Sequence, residues 1–127
     1  IGVTVALTTA YPNVKPTDYY LKESNFYTNV AGDAIGGLEV DNYIEDLLQE
    51  FPPAMGKVKR LTAAKEKLRR AFHIEGRKYP RWAQAAEWPM GKNSPMAFVQ
   101  QKRDGDLVMF TFQDVDTKEK RVVEQFY

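Results

Sequence analysis

The stretch MAFVQQKRDGDLVMFTFQDVDTKEKRVVEQF, residues 96–126, decides the fold class. Between Leu107 and Gln113 the side chains alternate, with Val108, Phe110 and Phe112 on one face and Leu107 and Met109 on the other. Alternation with a period of two is the signature of a half-buried strand. The Asp104-Gly105 pair just before it, between two apolar runs, is a strong short-range hairpin signal. The polar run Asp114 to Glu119 marks a second turn. The reading is a three-stranded antiparallel meander: about Met96 to Lys102, Leu107 to Gln113, and Lys120 to Phe126.

Upstream the period changes. Tyr43, Ile44, Leu47, Leu48 and Phe51 form one helical stripe that starts at Asp41 and is stopped by Pro52-Pro53. A second helix is expected from about Met55 to Phe72, with Val58, Leu61, Ala64, Leu68, Ala71 and Phe72 on its apolar side. Its other faces carry Lys57, Lys59, Arg60, Lys65, Lys67, Arg69 and Arg70, and Gly76 is read as a stop. Residues 77–95 read as a loop whose Trp82 and Trp88 cap one end of the core. At the other end of the chain, Val3 to Leu7 reads as a strand ended by Pro12. Residues 12–37 read as irregular and aromatic, with a short strand around Asn25 to Asn29. The fold class is therefore α+β: an N-terminal strand, two helices and the C-terminal meander, in a single domain over 1–127.

Composition bounds the function classes. The chain has 127 residues, 43% hydrophobic and 28% charged, which is a globular balance and long enough to bury a core without disulfides. With no cysteine, thiolate nucleophiles, disulfides and Cys-ligated metals are out, and a reducing compartment fits, so the expected location is cytoplasmic. No apolar run reaches the ~18–20 residues that span a bilayer, and IGVTVALTTAYP lacks the basic lead of a signal peptide as it stands.

Charge is uneven. Residues 1–52 hold two Lys and eight Asp or Glu, a net of −6. Residues 53–82 hold ten Lys or Arg and two Glu, a net of +8. Residues 83–127 hold six basic and seven acidic residues, a net of −1. Two surfaces follow. The acidic one carries Asp33, Glu39, Asp41, Glu45, Asp46 and Glu50 near Tyr43 and Tyr19-Tyr20. Acid interleaved with tyrosine suits a protein that blocks a basic partner. The partner-binding candidates are Asp41, Tyr43, Glu45, Asp46 and Glu50. The basic surface offers Lys67, Arg69, Arg70, Arg77 and Lys78 for phosphates and Trp82 for stacking on unpaired bases. Ordinary solvated faces that neutralise each other are the plain alternative to both.

Catalytic signals are thin. The one histidine, His73, sits at the end of the basic helix with no motif around it, and neither Ser24 nor Ser94 lies in a nucleophile elbow. Asp104-Gly105-Asp106 and Asp114-x-Asp116 lie in turns, where Asp serves the backbone. Gly36-Gly37 belongs to no phosphate loop. No catalytic residue, metal or cofactor is expected.

The cadence Pro80-x-Trp82-x-Gln84, Glu87-Trp88-Pro89, Pro95-Met96-x-Phe98-Val99-x-Gln101 and Val122-Val123-Glu124-Gln125-Phe126 resembles the closing part of small bacterial immunity proteins that accompany interbacterial toxins. The resemblance covers roughly residues 80–126. It implies a non-enzymatic inhibitor that binds a cognate toxin, and it carries over no catalytic residues. The order strand, two helices, meander is similar to that of RelE-like ribonuclease toxins. That likeness implies Lys102, Arg103, Arg121, Glu124 and Tyr127 as metal-independent ribonuclease candidates; the long segment 12–37 departs from that compact pattern. The leading expectation is the immunity protein, with the ribonuclease and a nucleic-acid-binding module as alternatives.

Overall fold

The computed structural model describes residues 25–127. The expected strand from Val3 to Leu7 and the pair Tyr19-Tyr20 lie outside the described residues. The order of elements is a helical segment at 25–31, α1 (Asp41–Leu48), a 3₁₀ turn (Pro53–Met55), α2 (Lys57–Ala71), β1 (Ala97–Asp104), β2 (Leu107–Gln113) and β3 (Lys120–Phe126). The sheet is antiparallel in the order β1-β2-β3, so the fold is α+β with a C-terminal meander.

The short strand expected around Asn25 to Asn29 is a helix instead. The reason is visible in the spacing: Phe26, Tyr27, Val30 and Ala31 follow i, i+1, i+4, i+5, and Phe26, Val30 and Ala31 are buried along one side. In α1, Ile44, Leu47 and Leu48 are buried as the stripe requires.

In α2 the inward row is Arg60, Ala64, Leu68 and Phe72, spaced by four, while Val58 is exposed. Arg60 therefore does not belong to the solvated basic face. It is buried, its Nε donating to the Phe51 carbonyl (2.7 Å) and its guanidinium lying 3.6 Å above the Phe26 ring. A planar, weakly hydrated cation tolerates such a site because it can stack and donate together.

α2 ends before Gly76. His73 N–H donates to Arg70 O and Ile74 N–H to Arg69 O, a Schellman closure with His73 in the left-handed position at φ 59°. Glycine is the residue that adopts this conformation without strain. His73→Gly is therefore expected to stabilise the protein by about 0.5–1 kcal/mol in urea unfolding; a destabilised variant would show that the 3.4 Å contact of His73 Nε2 with Ser94 Oγ matters more.

The sheet follows the pleat. β2 buries Val108, Phe110 and Phe112, and pairs Phe110 with Val123 and Phe112 with Arg121. Gly105 occupies the first position of the two-residue hairpin loop at φ 61°. A bulge between Phe98 and Gln100 breaks the β1 register.

Residues 77–95 form more than a surface loop: their aromatics join the helices to the sheet. Trp88 is fully buried, edge-on to Phe72 of the helical layer (5.1 Å) and tilted against Phe112 of β2 (5.3 Å). Trp82 packs on Phe110 and Phe112 (4.6 and 5.9 Å). A buried irregular segment must find partners for its backbone polar groups, and here much of that comes from side chains. Gln125 Oε1 accepts from Ala83 and Gln84 N–H (2.9 Å each), and its Nε2 donates to Ala85 O (2.7 Å). Asp114 Oδ2 accepts from Lys92 N–H (2.7 Å), and Gln101 Oε1 accepts from Arg81 N–H (2.9 Å).

Candidate partner-binding cleft

An open cleft of about 1010 Å³ lies between three pieces of chain: residues 32–41, residues 84–88 and the first half of β3. The first two pieces touch at the glycine pair. Trp88 N–H donates to Gly36 O (3.0 Å), and the α-carbon of Gly37 faces Ala86, Glu87 and Trp88 so closely that a Cβ would sit 2.9 Å from Ala86 O. At φ 127° Gly37 also holds a conformation that side-chain-bearing residues rarely adopt.

The rim is acidic. Asp33, Glu39, Glu87 and Glu124 border the cleft, and Asp41 lies within it. Its one cation, Arg121, is tied to Glu39 by a two-pronged pair, Nη1 to Oε1 at 2.8 Å and Nη2 to Oε2 at 2.6 Å. This pair fastens the 35–39 loop to β3 and leaves the other carboxylates facing solvent or the cleft. Leu38, at 99% exposure, stands on the same rim beside half-exposed Val122.

The hydrogen bonds from Arg121 hold the Glu39 carboxyl below its ordinary 4.5, with partial desolvation opposing. A folded value below the unfolded one means that the pair stabilises fully above that ordinary value. Its contribution is lost as pH falls through the lower folded value. Both partners are nearly half exposed, so screening limits the effect to about 1 kcal/mol or less. Between about pH 6 and about pH 3 the melting temperature of the wild type is expected to fall further than that of Glu39→Gln; equal falls would show that the pair adds nothing. Asp114, held low by the backbone N–H groups of Lys92 and Asp116, titrates in the same direction in both proteins.

Asp41 Oδ1 accepts from the Tyr27 hydroxyl and from Gly37 N–H, at 3.1 Å each. Burial, then the Asp41 carboxylate, then Glu45 push the Tyr27 phenol far above its ordinary 10. Tyr27 thus stays a hydrogen-bond donor at physiological pH rather than a proton-transfer group.

The acidic candidates are placed unequally. Asp41 is half-buried and shapes the cleft. Glu45 and Asp46 are exposed on α1. Glu50 pairs with Lys67 across to α2 (2.9 Å), so these two helices neutralise each other at that point. Tyr43 is half-buried and edge-on to Phe72 (6.1 Å), a packing residue that does not line the cleft. Sequence reasoning did not assign Glu87 and Glu124 to the acidic surface, since both lie far from the acidic helix in the chain and Glu124 entered only as a ribonuclease candidate, and it gave Tyr27 no role beside Asp41. The Gly36-Gly37 pair was the one local hint of a close backbone approach.

Among the nucleic-acid candidates, Arg70, Arg77 and Lys78 are exposed. Lys67 is engaged by Glu50, Arg69 donates to the Gly76 carbonyl, and Trp82 donates its Nε1–H to Ala34 O (2.8 Å) while its ring packs on the sheet. The Trp82 ring is thus partly buried, packed against Phe110 and Phe112 of the sheet. The ribonuclease candidates do not converge. Lys102 and Glu124 share one sheet face through Met109, Arg103 and Arg121 lie on the other, and Tyr127 follows β3 with its ring 4.3 Å from the Arg103 guanidinium. Among the described residues no group of three or more His, Asp or Glu is placed to hold a metal ion, and no helix is long and apolar enough to cross a membrane. The chain matches no protein family, no curated protein and no solved structure.

Proposed function

We propose that the chain is a non-enzymatic binding protein, a cytoplasmic bacterial immunity protein that occludes a basic surface of a cognate toxin. The observation that carries this reading is the cleft: three rim carboxylates, Asp33, Glu87 and Glu124, beside the neutralised Glu39–Arg121 pair, with an almost fully exposed leucine on the same rim. A desolvating apolar contact ringed by one sign of charge suits fast, selective capture of an oppositely charged protein. Glu45 and Asp46 extend the same charge along α1. The immunity-protein cadence of residues 80–126 supports the reading too, since Glu87 and Glu124 belong to it.

Expression of the chain alone in a bacterium under tight induction is expected to leave growth and total RNA unchanged. Growth arrest with RNA loss would replace this reading with the ribonuclease. A captured basic partner is then expected to bind Asp46→Lys and Glu87→Lys about tenfold more weakly each, read by titration calorimetry. Both residues are exposed, so neither change tests the core. Unchanged affinity for both would place the contact elsewhere.

A further inference from the structure

The structure brings together two basic stretches that are separate in the chain. Arg81 N–H donates to the Gln101 side chain (2.9 Å), which brings the segment of Arg77, Lys78, Tyr79 and Arg81 to the far half of the edge strand β1, where Arg103 shares the sheet face of Gln101 and Lys102 lies on the opposite face. That half of β1 is exposed on both faces from Gln100 to Asp104, so even its core-side positions, Gln101 and Arg103, face solvent. All five cations are exposed, and none forms an ion pair among the described residues. Tyr79 is 38% exposed and Tyr127, with the Arg103 guanidinium over one face of its ring, is 61% exposed. Asp104 and Asp106 bound the patch at the hairpin tip.

From this juxtaposition we infer that the segment 77–81 and the exposed half of β1 form a binding surface for single-stranded nucleic acid. Unpaired lysines and arginines displace counterions from a phosphate backbone, and exposed tyrosine rings offer stacking faces that only unpaired bases can use. A duplex presents its bases only at the groove edges, where the tyrosine rings of the patch would find no open stacking face. The surface shares no residue with the acidic cleft, so it stands or falls independently of the proposed inhibitor function.

The test is fluorescence anisotropy of the full chain with an end-labelled mixed-sequence single-stranded RNA of about 12 nucleotides at low salt. Saturable binding is expected, with log affinity falling against log salt at a slope of about −2 to −3.5, as three to five phosphate contacts dictate. Lys78→Glu with Arg81→Glu is expected to weaken binding at least tenfold and to flatten that slope by about 1 or more. Tyr79→Ala is expected to weaken it about fivefold or more with the slope unchanged. Lys57→Glu with Lys59→Glu, on the exposed start of α2, should change affinity less than about twofold. Several results would overturn the inference: no saturable binding; equal losses from the α2 pair; a duplex of the same length bound as tightly; or competition by polyglutamate as effective as by the oligonucleotide, which would assign the surface to an acidic protein.

Discussion

Replacing Gln125 by Met is expected to lower the unfolding free energy by about 3–5 kcal/mol, close to the whole stability of a marginal domain. Gln125 is fully buried on the inward face of β3, opposite Val108. Its amide serves three backbone groups at once, the N–H of Ala83 and Gln84 and the carbonyl of Ala85. Methionine keeps the volume and removes every partner. The three bonds are part-buried, with Gln84 and Ala85 exposed, so each orphaned backbone group costs about 1–2 kcal/mol, and the three belong to the segment that carries Trp82 and Trp88 between the layers. Urea unfolding should show a midpoint lower by about 1.5–2.5 M for an m-value near 2 kcal/mol/M. A loss under about 1 kcal/mol would mean that residues 83–85 readily reach water instead. Gln125→Glu should fall between, since a carboxylate still accepts from Ala83 and Gln84 but opposes the Ala85 carbonyl.

The second large effect is expected at Gly37. Gly37→Ala should cost about 2–4 kcal/mol and disturb the cleft as well. Two penalties combine: φ 127° is poor for any residue with a Cβ, and that Cβ would press on the backbone of residues 86–88. A backbone wall cannot swing aside as a flexible side chain can, so the two loops must part, and Leu38 and Glu39 move with them. Gly32→Ala separates the two contributions. Gly32 also has a positive φ, 62°, but nothing lies within 4 Å of its missing Cβ, so a cost of only about 1 kcal/mol is expected. Similar losses at both positions would show that backbone strain alone matters and that the loops do not meet tightly. If Gly37→Ala folds, its affinity for a captured partner is expected to fall with its stability.

Gln125 tests how an irregular segment is held inside, and Gly37 tests how the cleft is built. The immunity-protein reading depends on the second, because a rim of carboxylates selects a partner only if the apolar contact within it is held in place.

Much of the fold was legible from local pattern. β2 and β3 begin and end at the residues that the alternation and the turns indicated, and α1 starts at Asp41. Period-two and period-3.6 patterns are properties of neighbouring residues, so a linear reading finds them. It failed where the same residues satisfied two patterns: the aromatics at 26–31 were read as strand and irregular chain, though their spacing is helical. It failed also where a polar residue took a core position. The linear pattern puts Arg60 on the basic face and assigns Gln125 to neither face, and only their partners, Phe26 and Phe51 for one and the backbone of residues 83–85 for the other, explain their burial.

The same division runs through the sites. The sequence by itself determined that the chain carries an acidic first third and a basic middle, because charge is a sum over residues. It also determined the meander and the two main helices, because those obey short-range periodicity. Which charges remain available was decided only by tertiary structure. Folding paired Glu50 with Lys67 and Glu39 with Arg121, packed Trp82 against the sheet, gathered Glu87 and Glu124 to the cleft, and laid Arg81 beside β1. Electrostatic and packing energies depend on distances between residues remote in the chain, and those distances exist only once the layers have closed.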